Sequence, residues 1–160
     1  MQFRIGSGFD VHRLADGLPL VLGGVKIPSE KGLEGHSDAD VLVHAVIDAL
    51  LGSLALGDIG SHFPDSDPQY RGINSLILLK QAWRLVREND FQLENLDSIL
   101  IAESPKLNPF LDTMRSNLAE SLECKKNLIS IKATTTEKLG FTGQGKGIAA
   151  QAVVLLRGKN

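Results

Sequence analysis

The sequence has a single cysteine, Cys124, which excludes an internal disulfide and any zinc cage built from thiolates. It has no apolar run approaching the roughly 20 residues that a membrane helix needs. Its opening segment "MQFRIGSGFD" lacks the apolar centre of a signal peptide, so a cytoplasmic protein is expected, or a plastid-stroma protein whose transit peptide has been removed. It has no basic surplus either. The net charge is -2 with 22% charged residues, which argues against a nucleic-acid surface. No repeat, linker or low-complexity tract interrupts the chain, so residues 1–160 are read as one domain. A hydrophobic content of 42% excludes general disorder and is enough for a sizeable core.

What is present is an alternation of strand and helix patterns. Residues 3–12 read as a strand, and 18–29 as a hairpin turning at Gly23-Gly24. A helix is expected over 38–51, with Ser37 as N-cap, Asp40 completing a capping box and Gly52 just past its end. Residues 57–72 read as a long loop, a length usually kept for function. Further helices are expected over 73–90 and 108–123, the second capped by Asn108 with Pro109 at its first position. Strands are expected over 91–103, 128–136 and 145–158. This order predicts an α/β, or α+β, sandwich: one mixed sheet with helices on one face. The apolar strand 147–156 is expected to be buried on both sides, partly by another subunit.

Four histidines are present, and three lie beside carboxylates in sequence. In "GFDVHR", Asp10 and His12 share one face of an extended strand, as a polar face or as two metal ligands. Asp40, His44 and Asp48 form a stripe at helical spacing on an otherwise apolar helix, so something must satisfy it. Two His and one Asp leave one tetrahedral position of Zn²⁺ open, the pattern of a catalytic site. Asp40 and Asp48 are then expected to accept from the ring N–H that does not bind metal. "KATTTEKLGFTGQGKG" offers threonine hydroxyls and flexible backbone to an anion, without Walker A spacing, and Glu137 there suits an intervening cation such as Mg²⁺.

Together "GFDVHR", "GHSDADVLVHAVIDALLG", "GDIGSHFPDSD", "ESPKL" and "KATTTEKLGFTG" resemble, in this order and over essentially the whole chain, the 2-C-methyl-D-erythritol 2,4-cyclodiphosphate synthase family. No cytidylyltransferase-like region precedes them, so the stand-alone form is expected rather than the fused one. The resemblance implies a lyase of the non-mevalonate isoprenoid pathway. Its reaction closes 4-diphosphocytidyl-2-C-methyl-D-erythritol 2-phosphate to the cyclodiphosphate and releases CMP. It implies a homotrimer packed through the other sheet face, with active sites between subunits.

By motif position, the resemblance implies zinc on Asp10, His12 and His44, and Mg²⁺ or Mn²⁺ between Glu137 and the diphosphate. It gives His36 and Thr135 transition-state stabilisation, and Ser37 a share in phosphate binding. Val11 belongs to the substrate-contacting strand. Asp58, Ile59 and Gly60 match the segment that holds the methylerythritol hydroxyls. The loop of Phe63, Pro64, Asp65, Ser66 and Asp67 is expected to close over it. Ala102, Glu103, Ser104 and Pro105, continuing through Lys106, Leu107 and Asn108, match the cytidine pocket together with Ala133, Thr134, Thr135 and Thr136. A metal-dependent phosphoester hydrolase would use the same ligands on water, and a non-catalytic trimeric binding module would hold CMP without turnover.

The family's Phe9 and Phe141 positions line a cavity on the trimer axis, where an arginine can bind an isoprenoid diphosphate. Here Gln144 stands at the arginine position, with Lys146 nearby. Weak binding of isoprenoid diphosphates is therefore expected. Calorimetry should detect no micromolar binding of geranyl or farnesyl diphosphate; micromolar binding that Phe141→Ala abolishes would overturn this.

Overall fold

The computed structural model describes residues 2–159. Strand β1 (Phe3–Asp16) turns Gly6, Gly8, Asp10 and His12 towards the interior and Ile5, Phe9 and Val11 away from it. It pairs antiparallel with β7 (Gly147–Gly158), from Phe3 opposite Arg157 to Arg13 opposite Gly147. On its far side β7 pairs antiparallel with β5 (Phe91–Ile101), which is bulged between Leu93 and Asn95. β5 in turn runs parallel to β6 (Ile129–Thr134). β4 (Lys31–Leu33) completes the other edge, giving the order β4-β1-β7-β5-β6. The hairpin of β2 (Leu20–Leu22) and β3 (Val25–Ile27) turns at Gly23-Gly24, where both residues have positive φ, as two glycines permit.

Helices α1 (Val41–Ser53), α3 (Ser75–Glu88) and α4 (Leu111–Ser121) cover one face of this mixed sheet, the architecture the pattern predicts. α2 (Ile59–His62) and α5 (Gly140–Gly143) are single turns inside the expected loops. Leu42, Ile47, Leu50, Leu79, Leu96 and Leu118 are fully buried between the layers. Burial of side chains of this size stabilises by about 1.5–3 kcal/mol each before the loss of conformational entropy.

The two small residues of β1 determine how closely α1 lies on the sheet. A Cβ on Gly6 would stand 1.9 Å from the Ala49 carbonyl oxygen, and one on Gly8 1.9 Å from that of Ala45. Backbone therefore meets backbone, and the side chain preceding Ala45, His44, is carried down to the level of Asp10 and His12.

Several local expectations are corrected. α1 begins at Val41, and its cap is Asp40, whose carboxylate accepts from the Val43 N–H at 3.2 Å; Ser37 stands outside the helix. The same Asp40 carboxylate accepts from Gly23 N–H at 2.9 Å and Gly24 N–H at 2.7 Å, so it clamps the β2–β3 hairpin to the start of α1. Burial pushes the Asp40 carboxyl up to about 6, against these N–H donors, which favour the charged form. Gly52 lies within α1, not beyond it. Asn108 makes no capping bond; it opens a 3-10 turn (Asn108–Phe110) that leads into α4. The inner face of β7 is buried through Ala150, Ala152, Val154 and Leu156, but Gln151 on its outer face is exposed. On that outer face Ala149 is buried and Val153 and Leu155 are half-buried within the single chain. Ile5 and Phe9, next to it on β1, are 71% and 58% exposed.

Gly8→Ala is expected to lower stability by about 1–3 kcal/mol through overpacking. Gly52→Ala, whose Cβ meets nothing nearer than 4.0 Å, is expected to raise it by about 0.5–1 kcal/mol through helix propensity. Urea unfolding midpoints of the two variants should shift in opposite directions.

Candidate active site

Asp10, His12 and His44 meet between β1 and α1. Each offers one ligand atom to a common point. The atoms facing one another are Oδ2 of Asp10, Nε2 of His12 and Nδ1 of His44. They are separated by 3.0 Å (Asp10 to His12), 3.1 Å (Asp10 to His44) and 3.2 Å (His12 to His44). A tetrahedral ion with bonds of about 2.0 Å has ligand–ligand edges of about 3.3 Å, so the triangle has the size a small divalent cation needs.

The outward hydrogen bonds fix which nitrogen of each ring faces inward. His12 Nδ1 lies 2.7 Å from the Glu34 carbonyl, which can only accept, so Nδ1 donates and Nε2 presents its lone pair inward. His44 Nε2 lies 2.9 Å from the Ser75 hydroxyl and 3.1 Å from that of Ser37, so its Nδ1 is the inward atom. Two ring nitrogens and a carboxylate oxygen thus converge in a partly buried pocket. Such a set is stable only around a positive charge, a proton or a metal, and these donors fit a metal.

The electrostatics agree. Burial opposes ionisation of Asp10, yet the adjoining His12 and His44 rings hold its carboxyl well below the usual carboxylate range. Burial lowers the His12 imidazole, but the Asp10 carboxylate and the Glu34 carbonyl outweigh it and leave the ring more basic than an ordinary histidine. The Asp65 charge acts in the same direction.

Asp40 and Asp48 do not perform the ring-orienting role expected of them. Asp40 holds backbone N–H groups, and Asp48 accepts from the Ile59 N–H at 2.7 Å, tying α2 to α1 one turn beyond His44. Burial raises the Asp48 carboxyl, with the Asp10 and Asp58 charges adding to the effect. Asp58 caps α2 through the Ser61 N–H at 2.8 Å and is exposed there with Gly60. The ring-orienting partners are Glu34 and Ser75, which the sequence reading missed. Neither contact leaves a mark in sequence, because each spans more than twenty residues.

The other expected residues divide into groups. His36 has a buried Nε2 with no hydrogen-bond partner. Phe63 is buried and packs edge-on against Tyr70, so its side chain belongs to the core. Pro64, Asp65 and Ser66 are exposed, and Asp67 caps the 3-10 turn of Pro68–Tyr70. Ala102, Glu103, Lys106, Leu107, Ala133 and Thr134 line a cavity of about 420 Å³, with Pro105, Asn108 and Thr135. This cavity opens at the carboxyl ends of the one parallel strand pair, β5 and β6, whose following loops lie side by side. Thr135 Oγ1 donates to Glu137 Oε1 at 3.2 Å, while the Thr136 hydroxyl is occupied by the Leu139 carbonyl at 2.7 Å and Thr142 at 2.8 Å. Ser104 lines a neighbouring cavity with Gln144.

Phe141, Gln144 and Lys146 line a cavity of about 740 Å³ with Val11, Arg13 and Lys31. Phe9 is exposed on the same outer face of β1 as Val11. Within one chain the triad and the cavity at 102–109 share no residue.

Comparison with known proteins follows the same residues. The YgbB family matches residues 3–157. The 2-C-methyl-D-erythritol 2,4-cyclodiphosphate synthase of Geobacillus sp. (strain WCH70) is 59% identical over 99% of this chain and 100% of its own. The bifunctional IspDF from Campylobacter jejuni superposes with a TM-score of 0.95 at 46% identity, over 99% of this chain and 43% of that one. IspF from Plasmodium falciparum, solved as a CDP complex, gives a TM-score of 0.87 at 35% identity over 99% of this chain and 97% of its own. Among the described residues no helix is long and apolar enough to cross a membrane.

Because a metal must displace the proton that His12 otherwise holds, zinc affinity should fall as pH drops through the raised His12 value. The expected slope is about tenfold per pH unit for each proton displaced. Competition with a chromophoric chelator between pH 5 and pH 8 measures it; a flat profile, or full zinc content in His44→Ala, would remove the assignment.

Proposed function

The chain belongs to the YgbB family and carries the 2-C-methyl-D-erythritol 2,4-cyclodiphosphate synthase activity of isoprenoid biosynthesis, and we propose how its residues perform it. The substrate is 4-diphosphocytidyl-2-C-methyl-D-erythritol 2-phosphate. An oxygen of its 2-phosphate attacks the β-phosphorus, a new P–O bond forms, and the bond to CMP breaks with its electron pair leaving on CMP. The observation that carries this reading is the convergence of three lone-pair donors at Asp10, His12 and His44. A non-catalytic binding module has no use for such a set.

No protein nucleophile takes part, so the main contribution of the chain is to fold the substrate onto itself and hold it there. Zinc at Asp10, His12 and His44, with Mg²⁺ or Mn²⁺ at Glu137, would neutralise and polarise phosphoryl oxygens as the two anionic groups approach. His36 donates to an oxygen that gains charge at the transition state. Thr135, already aligned with Glu137, does the same from the other side. Ser37 donates to phosphate. Asp58, with the backbone of Ile59 and Gly60, holds the methylerythritol hydroxyls, and Asp48 keeps that segment on α1. The cavity of Ala102 to Asn108 and Ala133 to Thr135 receives cytidine.

The separation of triad and cavity within one chain, and the exposed apolar face of β1, support a homotrimer with sites between neighbouring copies. The same proposal places the reaction in the cytoplasm.

In H₂¹⁸O the enzyme should release one CMP per substrate, with no ¹⁸O in either product, because no water attacks phosphorus. Incorporation of ¹⁸O would favour a phosphoester hydrolase, and CMP binding without turnover would favour a binding module.

A further inference from the structure

Beyond the three ligands, the polar atoms nearest to His44 are two hydroxyls. One of them is fixed. Ser75 is fully buried at the first turn of α3, with its Oγ 2.9 Å from His44 Nε2. The same hydroxyl donates to Oδ1 of Asp38, and the Ser75 backbone N–H donates to the other oxygen, Oδ2, at 3.0 Å. Asp38 Oδ1 also accepts from the Asp40 N–H at 3.2 Å. A serine hydroxyl has one proton and a carboxylate can only accept. The Ser75 proton is therefore directed at Asp38, and its oxygen is left as an acceptor towards His44.

Ser37 differs. Its hydroxyl lies 3.1 Å from His44 Nε2 and 3.4 Å from Ser75 Oγ and accepts from the Ala39 N–H at 3.2 Å, but no carboxylate fixes its proton. The backbone reinforces the arrangement, because Asp38 N–H donates to the Ile73 carbonyl at 3.1 Å and Gly72 N–H to that of His36 at 2.8 Å. The turn that carries His36 and Ser37 is thus stitched to the start of α3.

We propose that Ser75 and Asp38 form a positioning pair. It keeps the His44 proton on Nε2, so that Nδ1 presents its lone pair beside Asp10 and His12, and it leaves the Ser37 hydroxyl free to donate to a phosphate. Neither residue touches substrate. The inference rests on the metal reading of the triad and deepens it, by stating what makes His44 a ligand at all times rather than in one of two tautomers.

Two measurements on the full chain test it. In ¹⁵N-labelled, metal-free protein, imidazole nitrogen shifts should show His44 protonated on Nε2; a proton on Nδ1 overturns the proposal without any variant. In Asp38→Ala the released Ser75 proton turns to Nε2, so the His44 signals should move to the Nδ1–H form; an unchanged tautomer overturns it as well. Zinc alone is the second probe. Ser75→Ala and Asp38→Ala should each weaken zinc binding about 10–100-fold, as loss of a ligand-orienting hydrogen bond does. The double variant should lose no more than about threefold beyond either one, because the two act as a unit. Multiplying losses would overturn the pair. If the unmodified chain binds no zinc, the metal reading falls, while the metal-free tautomer still decides this inference.

Discussion

The contact of the Gly6 and Gly8 backbone with the carbonyls of Ala49 and Ala45 sets the distance on which the rest of the site depends. Ordinary helix-on-sheet packing interposes a layer of side chains, and with such a layer a histidine on the helix could not share a ligand point with residues on the strand. Removing two side chains from β1 draws the axis of α1 inward over that stretch alone. Asp10 and His12 follow at the point where side chains resume, so the strand passes directly from close packing to chemistry. The cost is rigidity in sequence, since neither position accepts a Cβ.

Around that contact, acidic residues on α1 and just before it have divided their tasks. Asp38 holds Ser75 and the start of α3, Asp40 holds the β2–β3 hairpin, and Asp48 holds the 58–60 segment. Each carboxylate accepts from backbone N–H groups, a strong hydrogen bond because the acceptor is charged. α1 and the turn before it therefore act as the spine to which three segments are pinned, and one of them, 58–60, carries residues proposed to meet substrate. Only Asp10, on the facing strand, keeps its carboxylate directed at the ligand point.

Much of this was legible in the sequence. The alternation in "GFDVHR" indicated two side chains on one strand face, and the stripe of Asp40, His44 and Asp48 marked α1 as a buried helix with polar obligations. Gly23-Gly24 announced the hairpin. What failed was assigning partners from spacing along one helix: Asp40 and Asp48 share a stripe with His44, yet their oxygens reach backbone in other elements. The Ser37 cap failed for a related reason. A Ser with Asp three residues on fits a helix start, but Ala39 adopts positive φ and delays the helix to Val41. Glu34 and Ser75 were invisible because a carbonyl carries no residue-type signal, and a serine at a helix start reads as an end rather than as a partner for a ring 31 residues away.

The alternation of β1 has one more consequence, for folding rather than catalysis. Ligands and close-packing glycines occupy one side, and Ile5, Phe9 and Val11 occupy the other, interleaved residue by residue. A slip of one residue in the pairing with β7 would exchange the two sides completely. A slip one way would drive Phe9 and Ser7, and the other way Ser7 and Ile5, into the Ala45 and Ala49 carbonyls, where not even a methyl group fits, while Asp10 and His12 would be turned out to solvent. Misregistered chains are thus rejected by sterics before they can persist, and the same two glycines that place the metal ligands also proofread the strand that bears them.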